Sequence, residues 1–275
     1  MVHLNASMAL LFVLSLLAAG AVSGVIAGLL GVGGGIVLVP VLEWVLSLCG
    51  TDSSLSIKIA VATSLATIIP TAIASSRAHR RRDAIDDAVI QAWAVPVVIG
   101  AFSGVILATR LDAGVLRMVF AVVATLVALK MFLPVEGVVL RDTLPHGWRA
   151  HWLPFLIGLI STLMGIGGGS LSVPAMTLCN YSIQRAVGTA SLIGLWIALP
   201  ATIGYMLADT SGLAMPPFGI GYVNWLGFAL IAPATWLTAP LGAQWAHTMS
   251  RRQLHSAFGI FLLLTAGRMI WRSLH

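Results

Sequence analysis

Gly31-Val32-Gly33-Gly34-Gly35, followed by Pro40, and Gly165-Ile166-Gly167-Gly168-Gly169, followed by Pro174, are one phrase written twice, 134 positions apart. Each copy reads Gly-x-Gly-Gly-Gly, four residues, then Pro, and each sits in hydrophobic sequence. Consecutive glycines break a helix and free backbone N–H and C=O groups. In a bilayer such backbone is tolerated only where protein or a water-filled cavity satisfies it. Paired interruptions at matching places in two halves point to the binding site of a transporter.

The surrounding composition puts the phrases in a membrane. The chain has 275 residues, of which 59% are hydrophobic and 9% charged, and its mean hydropathy is +0.99. No soluble domain of this size hides that much apolar surface behind so few charges. The formal charge of +6 is therefore read as loop orientation, not as a nucleic-acid signal. The two cysteines, Cys49 and Cys179, give no zinc or iron–sulfur pattern, and neither a metal nor a cofactor is expected.

Apolar stretches fall at about 8–31, 35–49, 57–76, 88–109, 113–133, 152–166, 168–180, 186–208, 222–246 and 254–271. A full crossing needs ~20 residues. The second, sixth and seventh stretches are short and read as half-helices or arms of re-entrant hairpins. The halves match beyond the glycines: Ala60-Val61-Ala62-Thr63 answers Ala186-Val187-Gly188-Thr189, and Gly104, Leu116, Phe120 and Met131 answer Gly242, Leu254, Phe258 and Met269. The expectation is one all-α polytopic domain over 1–275, built of repeat 1 (8–133), a more polar linker (134–151) and repeat 2 (152–271).

Charge placement sets the orientation. Arg77-Ala78-His79-Arg80-Arg81-Arg82 is the strongest basic cluster, so loop 77–87 is expected to be cytoplasmic. The matching loop of the second half, 209–221, has no Lys or Arg. The next loops reverse the bias, with Arg251-Arg252 in the second half and Arg110 and Arg117 beside Asp112 in the first. Equivalent loops then face opposite sides, as in an inverted-topology repeat, which needs an odd number of crossings per half. Three spans plus a hairpin satisfy this, and so do five crossings.

With its glycine phrases, its paired Ala-Val-x-Thr segments and the Arg77–Arg82 run, the chain resembles the TauE/SafE family of sulfite exporter-like permeases over about residues 8–271. The resemblance implies a transporter of the bacterial cytoplasmic (inner) membrane, usually described with about eight spans. It implies small anionic sulfur compounds, such as sulfite or sulfonates, as substrates, and export as the direction.

Candidate binding residues follow from the chemistry of an anion. Successive glycine N–H groups form anion-binding concavities, and helix N-termini add positive dipole ends. Gly33, Gly34 and Gly35 with Gly167, Gly168 and Gly169 are the first set. Thr63 and Ser64, with Thr189 and Ser191, offer uncharged donors near the starts of the long helices after each hairpin. Ser170 and Ser172 stand where the first phrase has Ile36 and Leu38, so the second hairpin is the more polar one. Glu43, an acid in an apolar half-helix, is a candidate for proton coupling; its approximate counterpart is Thr177. Arg77 is a candidate for drawing anions toward the pore. The expected partners are a small anion, the lipid bilayer and protons.

Other classes fit less well. The first phrase lacks the third glycine and the acidic residue of a dinucleotide loop, and there is no Gly-Lys-Ser/Thr phosphate loop. An intramembrane enzyme would need Ser/His, paired Asp or His-Glu-x-x-His arrangements, and none is visible. A passive small-anion channel would share the glycine cradle without a coupling ion.

Overall fold

The computed structural model describes residues 6–30, 34–132, 149–245 and 251–274. Gly33 and almost all of the linker 134–151 lie outside the described residues. Among those described, ten helices follow one another: α1 (Ala6–Leu30), α2 (Gly35–Leu48), α3 (Ser53–Arg80), α4 (Asp87–Arg110), α5 (Ala113–Phe132), α6 (Arg149–Met164), α7 (Gly169–Thr177), α8 (Ile183–Leu207), α9 (Trp225–Trp245) and α10 (Arg251–Leu274). They coincide with the ten apolar stretches to within a few residues. A ribbon pairing Gly219–Ile220 with Val223–Asn224, which the hydropathy pattern does not announce, precedes α9.

By length and composition, α3, α4 and α8 are able to cross a membrane. By contrast, α2 has 14 residues and α7 only nine. At 1.5 Å per residue they reach ~21 and ~13 Å, well short of the ~30 Å hydrocarbon core.

Lipid tails are as apolar as leucine, so helices in a bilayer associate through close packing rather than hydrophobic burial. Small residues provide that here. A Cβ added at Gly24 of α1 would strike Thr235 and Thr238 of α9, and one added at Gly158 of α6 would strike the Val97 carbonyl of α4. One turn before Gly24, Gly20 closes on Ile231 and Ala234. The contacts advance in the same sense on both helices, so α1 and α9 run parallel. Likewise Gly100 of α4 meets Phe155 and Leu159, and Gly104 meets Leu159 and Thr162, so α4 and α6 run parallel. The helices that precede the two glycine phrases, α1 and α6, therefore lie along α9 and α4 respectively.

The central pair, α3 and α8, carries much of the buried core, including Ile57, Leu65, Ile193, Ile197 and Tyr205. Loops between long helices are pinned crosswise to this pair. The Asp86 N–H, at the N-cap of α4, donates to Thr189 Oγ1 of α8 (2.9 Å). The Asn224 N–H, just before α9, donates to Thr63 Oγ1 of α3 (3.0 Å). Both cap residues also close their own helices: the Asp86 carboxylate accepts from Ala88 and Val89, and Asn224 Oδ1 accepts from Gly227. At the start of α3, Asp52 accepts from Ser54 N–H, and hydrogen bonding by Ser54 holds its carboxyl below the usual range.

Candidate functional site

The two glycine phrases meet. A Cβ added at Gly35 would come within 2.6 Å of the Gly165 carbonyl and 3.0 Å of Ile166 Cα, so the chain turn of one hairpin rests on the other. Gly34 and Gly165 both have φ of 68°, in the left-handed region that a side chain makes costly. Ser64 Oγ donates to the Gly165 carbonyl (2.8 Å), and Ser23 Oγ of α1 donates to the Gly34 carbonyl (2.9 Å). The freed Gly165 carbonyl thus finds a hydroxyl partner, while the Gly34 carbonyl takes the Ser23 hydroxyl beside the Val37 and Leu38 N–H groups of α2.

The N–H side of the turns is different. As the sequence leads one to expect, α2 starts at Gly35 and α7 at Gly169. The first turn of any helix leaves its N–H groups without intrahelical acceptors. Among the described residues, the N–H groups of Gly34, Gly35 and Ile36, and of Gly167, Gly168, Gly169 and Ser170, donate to no partner, and all seven residues are buried. Near the second set lie further donors without partners: Ser170 and Ser172 are buried and their hydroxyls make no hydrogen bond. The hydroxyls of Ser161 and Thr162, at the end of α6, are in the same condition.

Space exists at the second turn. A Cβ built on Gly194 of α8 would meet only the Gly168 nitrogen, at 3.6 Å, with nothing else within 4 Å. At the first turn, Ile68 reaches to 3.0 Å from the position a Gly35 Cβ would take. Counting from the paired Thr63 and Thr189, Ile68 and Gly194 occupy equivalent places. Ile68 stands beside Gly35, whereas the equivalent Gly194 leaves room next to the Gly168 nitrogen; elsewhere Gly168 is packed by Ile197 and Ile193, 2.8 and 3.0 Å from the position its Cβ would take.

The other candidates are distributed as follows. Thr63 and Thr189 are fully buried and accept the loop N–H groups described above, which commits one lone pair of each. Ser191 turns back on its own helix, donating to the Gly188 carbonyl (2.6 Å). Arg77 is exposed in the last turn of α3, thirteen residues or ~20 Å along the helix from Ser64; its neighbour Arg80 pairs with Asp87 (2.9 Å).

Glu43 has partners that sequence reading missed. Arg117, expected in a loop with Arg110, is inside α5 and 4% exposed. Its Nε donates to Glu43 Oε1 at 2.7 Å. Its Nη2 donates to the Ser53 carbonyl and, at 2.9 Å, to Ser53 Oγ. Arg272 of α10 adds a longer contact to Glu43 Oε1 (3.4 Å) and a bond to Ser47 Oγ (2.8 Å). This network ties α2 to α3, α5 and α10. The charge alternation of a loop and the interior of a helix look alike when Asp112 and Arg117 stand five apart, which hid Arg117. Gly194 was hidden because a single glycine in a membrane helix is ordinary.

Comparison with known proteins places this architecture. The chain matches the family described as Sulfite exporter TauE/SafE over residues 16–269. It is 29% identical to a probable membrane transporter protein of Haemophilus influenzae over 94% of this chain and 98% of that one. It is 24% identical to the probable membrane transporter protein YunE of Bacillus subtilis, covering 93% and 96%. A probable membrane transporter protein of Methanocaldococcus jannaschii is 25% identical, covering 90% and 94%. No solved structure matches. With a family match spanning nearly its whole length and apolar helices able to cross a bilayer, the chain belongs to the TauE/SafE family and is an all-α, multi-pass membrane transporter.

Proposed function

We propose that this chain is a secondary transporter of a small sulfur-containing anion such as sulfite or a sulfonate. The anion sits where the two glycine phrases meet, mainly on the second hairpin. The observation that carries this reading is the cluster of buried donors without partners among the described residues: the N–H groups of Gly167 to Ser170 and the hydroxyls of Ser170 and Ser172. A buried helix end without partners is expensive. An oxyanion accepts several such bonds at once, and the helix N-terminus favours its charge. Uncharged donors also let the anion leave again, as transport requires.

Alternating access follows from an inverted repeat, and the contacts support one. Hairpin one packs along α9 and hairpin two along α4, and Asp86 and Asn224 hang from Thr189 and Thr63 in the same crosswise manner. Each half then contributes three crossings and one re-entrant hairpin, and the hairpins enter from opposite faces. Rocking one half against the other exposes a midplane site to each side in turn. The Arg77–Arg82 end of α3 faces the cytoplasm of a bacterial inner membrane. Export needs no coupled ion, because a membrane potential negative inside favours anion efflux by ~2.3 kcal/mol per charge per 100 mV.

The test is flux in sealed liposomes. Sulfite, sulfoacetate, taurine, sulfate and chloride would be compared with and without a pH gradient. The expected result is saturable flux of one sulfur anion. Removing both hydroxyls (Ser170→Ala with Ser172→Ala) should weaken it by about 10–100-fold, the worth of one or two hydrogen bonds to a charged group. Unchanged flux in that variant would remove the second hairpin as the site, and fast nonsaturating chloride flux would make the protein a channel.

A further inference from the structure

At the end of α2 far from the glycines, charge is out of balance. Glu43 and Arg117 are 1% and 4% exposed and pair through one Nε–Oε1 bond. Two more guanidinium groups stand over this pair. Arg272, 24% exposed, engages the protein through Nη1 alone, leaving its Nε and Nη2 without partners among the described residues. Arg268, half-buried one turn earlier on α10, makes no hydrogen bond or ion pair with the described residues. Its guanidinium lies over the Trp44 ring at 5.6 Å, within electrostatic reach of both Glu43 and Arg272.

Among the described residues, one carboxylate, that of Glu43, makes ion pairs within this group of three guanidinium groups, and Asp52 adds only an electrostatic attraction on Arg117. Of the other described acids near this end, Asp52 is exposed at the N-cap of α3 and reaches Arg117 without an ion pair, and Asp112 lies near Lys58. Residues four apart on a helix are neighbours, and like charges there repel. Partly desolvated cations without a counter-ion are unfavourable, and planar guanidinium forks match oxyanions in a bidentate manner.

We infer that Arg268 and Arg272, floored by Trp44 and backed by the Glu43–Arg117 pair, form a binding site for a tetrahedral or pyramidal oxyanion, distinct from the glycine phrases. Glu43 and Ser47 hold Arg272 in place from one side, and the ring of Trp44 orients Arg268 from another. Both side chains stand one turn apart on α10, Arg272 in contact with Glu43 and Arg268 within electrostatic reach of it. Partial exposure of both arginines leaves the site open from outside the bundle. The oxyanion is either a free anion or the phosphate of an acidic lipid. The site does not depend on the transport reading, since none of its residues belongs to the hairpin turns.

The experiment uses the purified full-length chain in neutral detergent, with sodium sulfate as probe at constant ionic strength and thermal unfolding as the signal. Sulfate is expected to raise the Tm of the wild type. Arg268→Gln should weaken that response at least tenfold; it is the variant of choice because Arg268 makes no hydrogen bond with the described residues. Arg272→Gln should do the same, whereas the Ser170→Ala, Ser172→Ala variant should keep the response. In nanodiscs, added phosphatidylglycerol should abolish the sulfate response if a lipid phosphate is the occupant and leave it intact if the anion is free. A sulfate response unchanged in Arg268→Gln would overturn the proposal. So would a response lost only in the serine variant, or no response to either sulfate or phosphatidylglycerol.

Discussion

The two hairpins begin from the same phrase and end as different devices. In the first, Ile36 and Leu38 fill the opening turns of α2, Ile68 covers Gly35, and Glu43 is clamped by Arg117 and Arg272. In the second, Ser170 and Ser172 stand in place of the apolar pair, Gly194 leaves space beside Gly168, and Thr177 satisfies only its own helix by donating to the Pro174 carbonyl. One copy is plugged and bolted to the long helices. The other has a gap at Gly194, Ile193 and Ile197 packed against Gly168, and the Ser170 and Ser172 hydroxyls without partners among the described residues. On the proposed reading, a few substitutions between two similar phrases decide which one anchors and which one binds.

The sharpest way to break this comparison is to cut the bolt. Glu43→Gln leaves Arg117 buried with its charge unanswered. Losing one partner of a buried pair typically costs about 3–5 kcal/mol. Thr177→Val, at the equivalent place of the second hairpin, should cost less than about 1 kcal/mol, because it loses one local hydroxyl bond. Thermal unfolding in detergent checks both. Equal effects would mean that the first hairpin is no more anchored than the second.

A smaller effect separates packing from binding at the open turn. Gly194→Ala should raise helix stability by about 0.8–1 kcal/mol, since its methyl meets nothing closer than the Gly168 nitrogen at 3.6 Å. The same methyl stands over that amide. Saturable flux should therefore fall several-fold while Tm rises, and a variant more stable with unaltered flux would show that the space beside Gly168 is idle.

Much of this was legible in the sequence, for identifiable reasons. The helices follow the hydropathy because a membrane leaves few other ways to satisfy the backbone. The starts of α2 and α7 follow the glycines, and the greater polarity of the second hairpin shows in Ser170 and Ser172. What was not legible is everything that depends on which helix lies beside which. Arg117 is 74 positions from Glu43, and nothing local distinguishes it from an interfacial arginine. Ile68 and Gly194 matter only because α3 and α8 lie over the turns. Thr63 and Thr189 look like donors for a substrate, whereas their oxygens receive loop N–H groups from the opposite half.

Those two threonines give the finest test, because here the halves should behave alike. Thr63→Val and Thr189→Val each remove the acceptor of one loop N–H, of Asn224 or Asp86, and each keeps the volume of the side chain. An N–H left without its acceptor costs about 1–3 kcal/mol. The two variants should therefore lose similar stability, at the low end of that range where water reaches the loop. If the hydroxyls serve only as struts, flux per folded molecule should be unchanged in both. Each hydroxyl keeps its own proton, however, so a threonine facing the bound anion would also lower affinity. Because the unpartnered donors concentrate on the second hairpin, a drop confined to Thr189→Val would extend the binding site along α8. A drop confined to Thr63→Val would contradict the asymmetry, since it would place the anion against the hairpin that Ile68 covers.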